Sequence, residues 1–320
     1  MPLTRAHAFR CVLSFALAAA AGLAAAQPPS RAGLRSVDLQ KLLDGVVGVI
    51  SYTISPDVTT SSLSVSNAAT QSPGLSMTQF GGGFTWSKGT PLYLEGNAAY
   101  ARYDPVFIAS DGTQQRAVPV KWDAFSATGG IGWDFPISEH WVVRPILNFT
   151  LGRVVSDLSL GKWWLERNTN ADLDFLDGGH MNAYGLGGSL MLDYESFAPD
   201  HDDDIELRYT NEALRAVGSH NASLKGYGKA ETASLWMRRR IPIGDWQMFG
   251  GPVRYVLEGA YTVFLGDQGE LGLSEMASLG LGLELDTSSH DIWVTRWRAV
   301  ARYKFGSNLH GWALGLAVSF

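Results

Sequence analysis

A hydrolase needs a nucleophile within hydrogen-bond reach of a histidine, and a third polar group to orient the ring. The chain has seven histidines: His7, His140, His180, His201, His220, His290 and His310. None belongs to a fixed nucleophile motif. Ser189 lies nine residues beyond His180, too far along for one strand to bring the two together, and Ser288 and Ser289 share a turn-like stretch with His290. The spacing therefore predicts solvated loop histidines and no catalytic residue. Metal chemistry is the next candidate. In "PDHDDDIE", Pro199 to Glu206, His201 precedes Asp202, Asp203 and Asp204, and clustered oxygens can hold Ca²⁺. The D-x-[DN]-x-[DN]-G spacing is missing and three consecutive acids do not easily converge. The expectation is a solvated turn, no metal site and no cofactor.

The remaining charges are informative through the elements that carry them. "WMRRRIP" puts Arg238 and Arg240 on one face of an extended chain and Arg239 on the other, because strand side chains alternate with a period of two. The alternation recurs. Leu92, Leu94, Ala98 and Tyr100 oppose Glu95 and Asn97, and Trp141, Val143, Leu147, Phe149 and Leu151 oppose Arg144 and Asn148. Val253, Tyr255, Leu257, Tyr261 and Val263 oppose Arg254 and Glu258, while Leu279, Leu281, Leu283 and Leu285 oppose Glu284 and Asp286. Trp293, Trp297, Ala299, Ala301, Tyr303 and Phe305 oppose Arg296, Arg298, Arg302 and Lys304.

A soluble periplasmic β-sandwich also alternates, so other features must identify the solvent. The chain begins with Arg5 and Arg10, an apolar run from Cys11 to about Leu23, and Ala24-Ala25-Ala26, which reads as a signal peptide over residues 1–26. Its cleavage removes the single cysteine, and with it any disulfide, from an exported protein. The net charge of −6 becomes −8 once two arginines and no acid are lost, which argues against nucleic acid as a partner. Beyond residue 26 no apolar run approaches the ~18 residues of a membrane helix. With 36 Gly, 11 Trp and 11 Tyr in 320 residues, and with Trp86, Tyr103, Trp133, Trp141, Trp293 and Phe305 near strand ends, the pattern predicts aromatic girdles at lipid headgroups. The fold class predicted is all-β, a transmembrane antiparallel β-barrel of about twelve strands in the bacterial outer membrane.

Strands are expected near 46–54, 74–86, 91–103, 122–135, 140–153, 180–194, 203–213, 230–241, 246–264, 270–286, 291–305 and 310–320. Within the N-terminal segment, 27–73, Leu39, Leu42, Leu43, Val46, Val47 and Ile50 also fit helical spacing after Ser36, so a short helix that enters the lumen is equally acceptable. The barrel itself is expected over 74–320. Residues 55–73 read as a Ser/Thr-rich loop, and "FPIS", "IPIG" and "TSSH" as periplasmic turns. The longer, odd-numbered connections are expected outside the cell.

The C-terminus, "GWALGLAVSF", places Trp312, Leu314, Leu316, Val318 and Phe320 on one face. It resembles the terminal signature of bacterial outer-membrane proteins, and that resemblance implies recognition by the barrel-assembly machinery, with periplasmic chaperones and outer-membrane lipid as the other partners. A barrel of this size after a short N-terminal segment resembles the solitary outer-membrane autotransporter-like β-barrel family. The resemblance implies a translocator-like barrel without a passenger, in a structural or transport role and without enzymatic activity.

Toward the lumen point Glu95, Arg144, Asp193, Glu206, Arg208, Arg238, Arg240, Arg254, Glu258, Glu284, Arg296, Arg298, Arg302 and Lys304, nine basic and five acidic. Such charges form ion-pair ladders or line an anion-favouring pore. A small anion-preferring porin is thus the alternative function, and a lipid-modifying outer-membrane enzyme a further one. Phe320→Ser, or deletion of Val318 to Phe320, is expected to lower outer-membrane assembly and raise periplasmic degradation. Cell fractionation checks this, and normal yield of the truncated protein overturns the reading of the terminus.

Overall fold

The computed structural model describes residues 50, 61–65, 74–87, 89–104, 106–110, 115–119, 122–156, 180–217, 227–267, 274–288, 295–306 and 309–319. In chain order the strands are β1 (Ser61–Val65), β2 (Gly74–Thr85), β3 (Leu92–Asp104), β4 (Val106–Ser110), β5 (Gln115–Pro119), β6 (Trp122–Trp133), β7 (Phe135–Pro136) and β8 (Trp141–Ser156). There follow β9 (His180–Phe197), β10 (Asp202–Val217), β11 (Tyr227–Met248), β12 (Gly251–Phe264), β13 (Glu275–Asp286), β14 (Arg296–Gly306) and β15 (Leu309–Ser319).

All pairings are antiparallel, and the sheet closes on itself. From β8 to β15 each strand pairs with the next, β6 joins β8 to β3, β3 pairs with β2, and β1 bridges β2 to β15. The two-residue β7 continues β6 on β8 in the same register across Asp134. Among the described residues the ring therefore has twelve strands. Closure is what a hydrocarbon surround demands, because an edge would leave a row of backbone groups with no partner. Tight connections such as 198–201 and 249–250 lie at one rim, together with the end of β15, and the strand ends flanking the long connections 157–179, 218–226 and 268–273 lie at the other.

Burial is inverted relative to a water-soluble sheet. On the outside Phe80 is 71% exposed, Trp312 68% and Leu147 63%, whereas inward-facing Asn148, Arg302 and Glu284 are 1%, 2% and 0% exposed. Trp86, Trp133, Phe249 and Trp297 stand exposed toward the short-turn rim; Phe125, Phe305 and Trp312 stand exposed toward the other. Trp141 is half-buried, its ring 4.9 Å from that of Tyr194. The side chains of Tyr103 and Trp293 lie outside the described residues. No helix among the described residues is long and apolar enough to cross a membrane; the crossing is made by strands.

Several sequence expectations are corrected. Among the described residues the first strand is β1, inside the stretch read as a loop; of 46–54 only Ile50 is described, and it is helical, as the helix alternative for this segment has it. The apolar content of β1 is slight, but hydrogen bonding on both edges places it. The connection expected at 104–121 contains the hairpin β4–β5. "IPIG" is no turn: β11 runs through it with a register shift between Pro242 and Gln247. The turn falls at Phe249 and Gly250, whose φ values are 49° and 75°, the paired positive values of a hairpin turn whose twist matches its strands. Phe320 lies outside the described residues; Trp312, Leu314, Leu316 and Val318 all face outward and are exposed.

Positive φ costs an ordinary residue about 1–2 kcal/mol. Gly250→Val is accordingly expected to lower the temperature at which the detergent-solubilised barrel loses its folded gel mobility, and Phe249→Asn to raise it slightly. Equal temperatures for Gly250→Val and the parent would sink this assignment of the turn.

Candidate functional site

The lumen holds the polar chemistry of the molecule, in bands. Midway, Arg208 on β10 donates to both oxygens of Glu95 on β3, at 2.8 and 2.7 Å. Three strands, β6, β8 and β9, separate these two along the sheet, so the pair forms a chord across the interior. Asn148 donates to the same carboxylate at 2.7 Å, Ser189 donates to Asn148 Oδ1 at 2.7 Å, and Arg208 donates to Ser189 at 2.9 Å and to Thr210 at 3.2 Å. The chord needs a hollow wall beneath it. A Cβ on Gly130 would lie 2.5 Å from Glu95 Cγ and 2.8 Å from Asn148 Nδ2.

Nearer the short-turn rim, Arg144 pairs with Asp134 and lies 3.3 Å from Asp193. Its guanidinium sits 4.0 Å above the Tyr93 ring and donates to the Met191 sulfur at 3.1 Å. Thr85 donates to Asp134 at 2.6 Å. Tyr93, Ile146 and Met191 form a small buried apolar cluster here. A desolvated guanidinium is thereby given a carboxylate, a π face and a sulfur.

Around the opposite wall runs a ladder. Arg238 reaches Asp204 at 2.5 Å and Arg240 reaches it at 3.0 Å; Arg240 also approaches Asp202 and Glu284, each at 3.7 Å. Arg254 lies 3.5 Å from Asp202, 3.4 Å from Glu284 and 3.3 Å from Asp286. Arg298 takes Glu284 at 2.7 Å and Arg296 approaches Asp286 at 4.0 Å. Higher on the same wall, Arg302 meets Glu258 at 2.6 Å, and a Cβ on Gly315 would lie 2.1 Å from the Arg302 Nη1. Lys304 is buried on the same inward face, one alternation on.

Arg144, Arg238, Arg240, Arg254, Glu258, Glu284, Arg296, Arg298, Arg302 and Lys304 thus all lie on the inward face; the ladder joins six of them, and Arg302 with Glu258 forms a separate pair. Five further acids share the inward face: Asp134, Asp202, Asp204, Glu212 and Asp286. This corrects the solvated-turn reading of "PDHDDDIE", since Asp202 and Asp204 open β10 and are 8% and 5% exposed. Asp203 points outward to Arg239, at 2.6 Å, so a carboxylate holds that arginine on the outer face. Among the described residues the inward face has no surplus of positive charge. Period-two spacing had already set Asp286 beside Glu284 opposite the leucines, and from Glu206 it would have found Asp204. Asp134, next to the outward Trp133 in the expected strand 122–135, would have followed from the same alternation.

Toward the long-connection rim the interior turns apolar. Ala101, Ala124, Val154, Met181, Ala183 and Leu214 are each no more than 5% exposed. The helical Ile50, 0% exposed, lies against β8 there, where a Cβ on Gly152 would come within 2.8 Å of its Cδ1. As for the candidate nucleophile, buried Ser189 belongs to the chord, while His140 lies at the rim, its Nδ1 3.0 Å from the Glu195 carbonyl oxygen. His201 sits 3.1 Å from Asp200 and 3.5 Å from Asp203. The His180 side chain, His220 and His290 lie outside the described residues.

No protein-family model matches the chain, and no curated protein does. Solved structures similar to it include the β domain of the Bordetella autotransporter BrkA, at 15% identity over 82% of this chain and 96% of that one, with a TM-score of 0.45. The translocator domain of the autotransporter NalP from Neisseria meningitidis matches at 12% identity over 97% and 99%, TM-score 0.41. The NanC porin matches at 9% over 82% and 98%, TM-score 0.39. At such identities the likeness is one of architecture; the side chains must carry any functional reading.

Removing one partner of a buried ion pair costs about 3–5 kcal/mol, because the other charge is stranded. Arg298→Glu with Arg302→Glu turns like charges onto Glu284 and Glu258 and is expected to abolish or severely destabilise the folded barrel in heat-modifiability gels. Exchanging the pair, Glu258→Arg with Arg302→Glu, is expected to recover part of the loss. Full stability of the first variant would mean that the strand is a residue out of register.

Proposed function

We propose that the protein is an integral β-barrel of the bacterial outer membrane, exported by the signal peptide at 1–26, translocator-like in build, with its own N-terminal segment in the lumen. Its role is structural or in transport through an ordinarily closed lumen; it has no enzymatic activity, and it depends on the barrel-assembly machinery and periplasmic chaperones for insertion. The observation that carries this reading is Ile50, helical and fully buried beside Gly152 at an apolar stretch of inner wall. An apolar lining suits contact with a packed segment, because water gains no hydrogen bonds from it. The Glu95–Arg208 chord supports the same reading, since it spans the interior between strands that have three others between them along the wall, which a wide aqueous pore would hold apart.

The alternative, a small anion-preferring porin, needs an open lumen with net positive walls, and the five additional acids weigh against that preference. Planar-bilayer recording separates the two. The purified protein is expected to give no steady channels, and heat-modifiable protein is expected in the outer-membrane fraction. Steady anion-selective channels would replace the closed barrel with a porin. Altered lipid A or phospholipid composition on overexpression would point instead to an enzyme, and recovery as soluble periplasmic protein would remove the membrane reading altogether.

A further inference from the structure

The lipid-facing wall is indented over β2, β3, β6 and β8. An open groove of about 540 Å³ lies there. Ala98 and Ala127, direct cross-strand partners, form its floor, and the same row ends in Phe80 on β2 and Leu151 on β8. Phe80 and Leu151 are 71% and 55% exposed, so they stand as walls above a floor of methyl groups. One row nearer the long-connection rim, Arg153 opposes Phe125 and closes that end of the groove.

Arg153 is exposed, and no hydrogen bond or ion pair engages its guanidinium among the described residues. Its neighbours on the same face of β8 are Leu151 below and Val155 above, so the charge sits at a depth still bordered by apolar side chains. Two strands along, Arg215 repeats the arrangement. It too is exposed, lies between Ala213 and the 49% exposed Val217 on its face, and has Tyr184 and Tyr227 as cross-strand partners. β8 and β10 are separated by β9 alone, which puts the two backbones roughly 10 Å apart. A guanidinium at the membrane interface gains most from an anionic headgroup, and its fork matches phosphate.

We propose that this groove and the two arginines form a binding site for lipid A, the doubly phosphorylated glucosamine lipid of the outer leaflet. One acyl chain lies over Ala98 and Ala127 between Phe80 and Leu151, and the phosphates engage Arg153 and Arg215. Two separated cations favour a headgroup with two separated phosphates over a phospholipid with one. The apolar groove adds selection for an anion that carries a chain. The proposal rests on the long-connection rim facing outward.

Detergent-purified protein is loaded with lipid A, washed, and analysed for retained lipid by mass spectrometry. The parent protein is expected to retain it stoichiometrically, with phosphatidylglycerol and dephosphorylated lipid A held at least tenfold less. Arg153→Ala with Arg215→Ala, which removes the cations, and Ala127→Trp, which fills the groove, are each expected to retain at least tenfold less lipid A. Ala98→Leu serves the second purpose should Ala127→Trp fail to assemble. Heat-modifiable mobility of each variant separates lost binding from a lost barrel. Undiminished retention by the arginine variant overturns the site, as does equal retention of phosphatidylglycerol. Self-association of the parent that Ala127→Trp abolishes overturns it differently, by making the groove a contact between copies.

Discussion

Every backbone N–H and C=O that enters hydrocarbon must find its partner inside the protein, at several kcal/mol for each failure. The rest of this structure follows from that constraint. It forces the sheet to close and recruits β1 from a Ser/Thr-rich stretch of small propensity, because β2 and β15 would otherwise face lipid with open edges. It also exchanges inside and outside. The apolar half of every alternating strand goes to the solvent, which here is lipid, and the polar half is confined to the interior.

Confinement then determines the chemistry of that interior. Charges withdrawn from water cannot stand alone, so arginines with a planar fork dominate over lysines, and each is matched to carboxylates on neighbouring strands or across the lumen. Long side chains need floor space as well as partners. Gly130 beneath the Glu95–Asn148 contact and Gly315 beneath Arg302 supply it, since a methyl group at either would collide with the network. At these two positions glycine therefore answers to the volume of the charged residues opposite.

Much of this was legible because period-two alternation is imposed by geometry. Once Trp141 and Leu147 are placed outward, Arg144 and Asn148 have nowhere else to go. Two kinds of feature escaped. Strands stabilised by closure rather than by their own side chains, such as β1, leave little hydrophobic trace. Charged strand beginnings look like turns: Asp202 and Asp204 read as solvated until Arg238, Arg240 and Arg254 are brought beside them by pairing. The Glu95–Arg208 chord could not have been foreseen from spacing, since 113 residues separate its ends and only the curvature of the ring brings them together. The outer groove was equally hidden, because Ala98 and Ala127 meet only through the register of β3 on β6.

Among the described residues, β1 is the narrowest join in the ring. Its five residues hold together two strands of 12 and 11 residues, β2 and β15, whereas elsewhere long strands share long ladders of hydrogen bonds. Cooperative opening begins where fewest bonds must break at once. The wall is thus less a uniform cylinder than a wrapped sheet fastened by a small clasp, and any transient parting of strands, whether during insertion or in the mature membrane, is concentrated at that clasp.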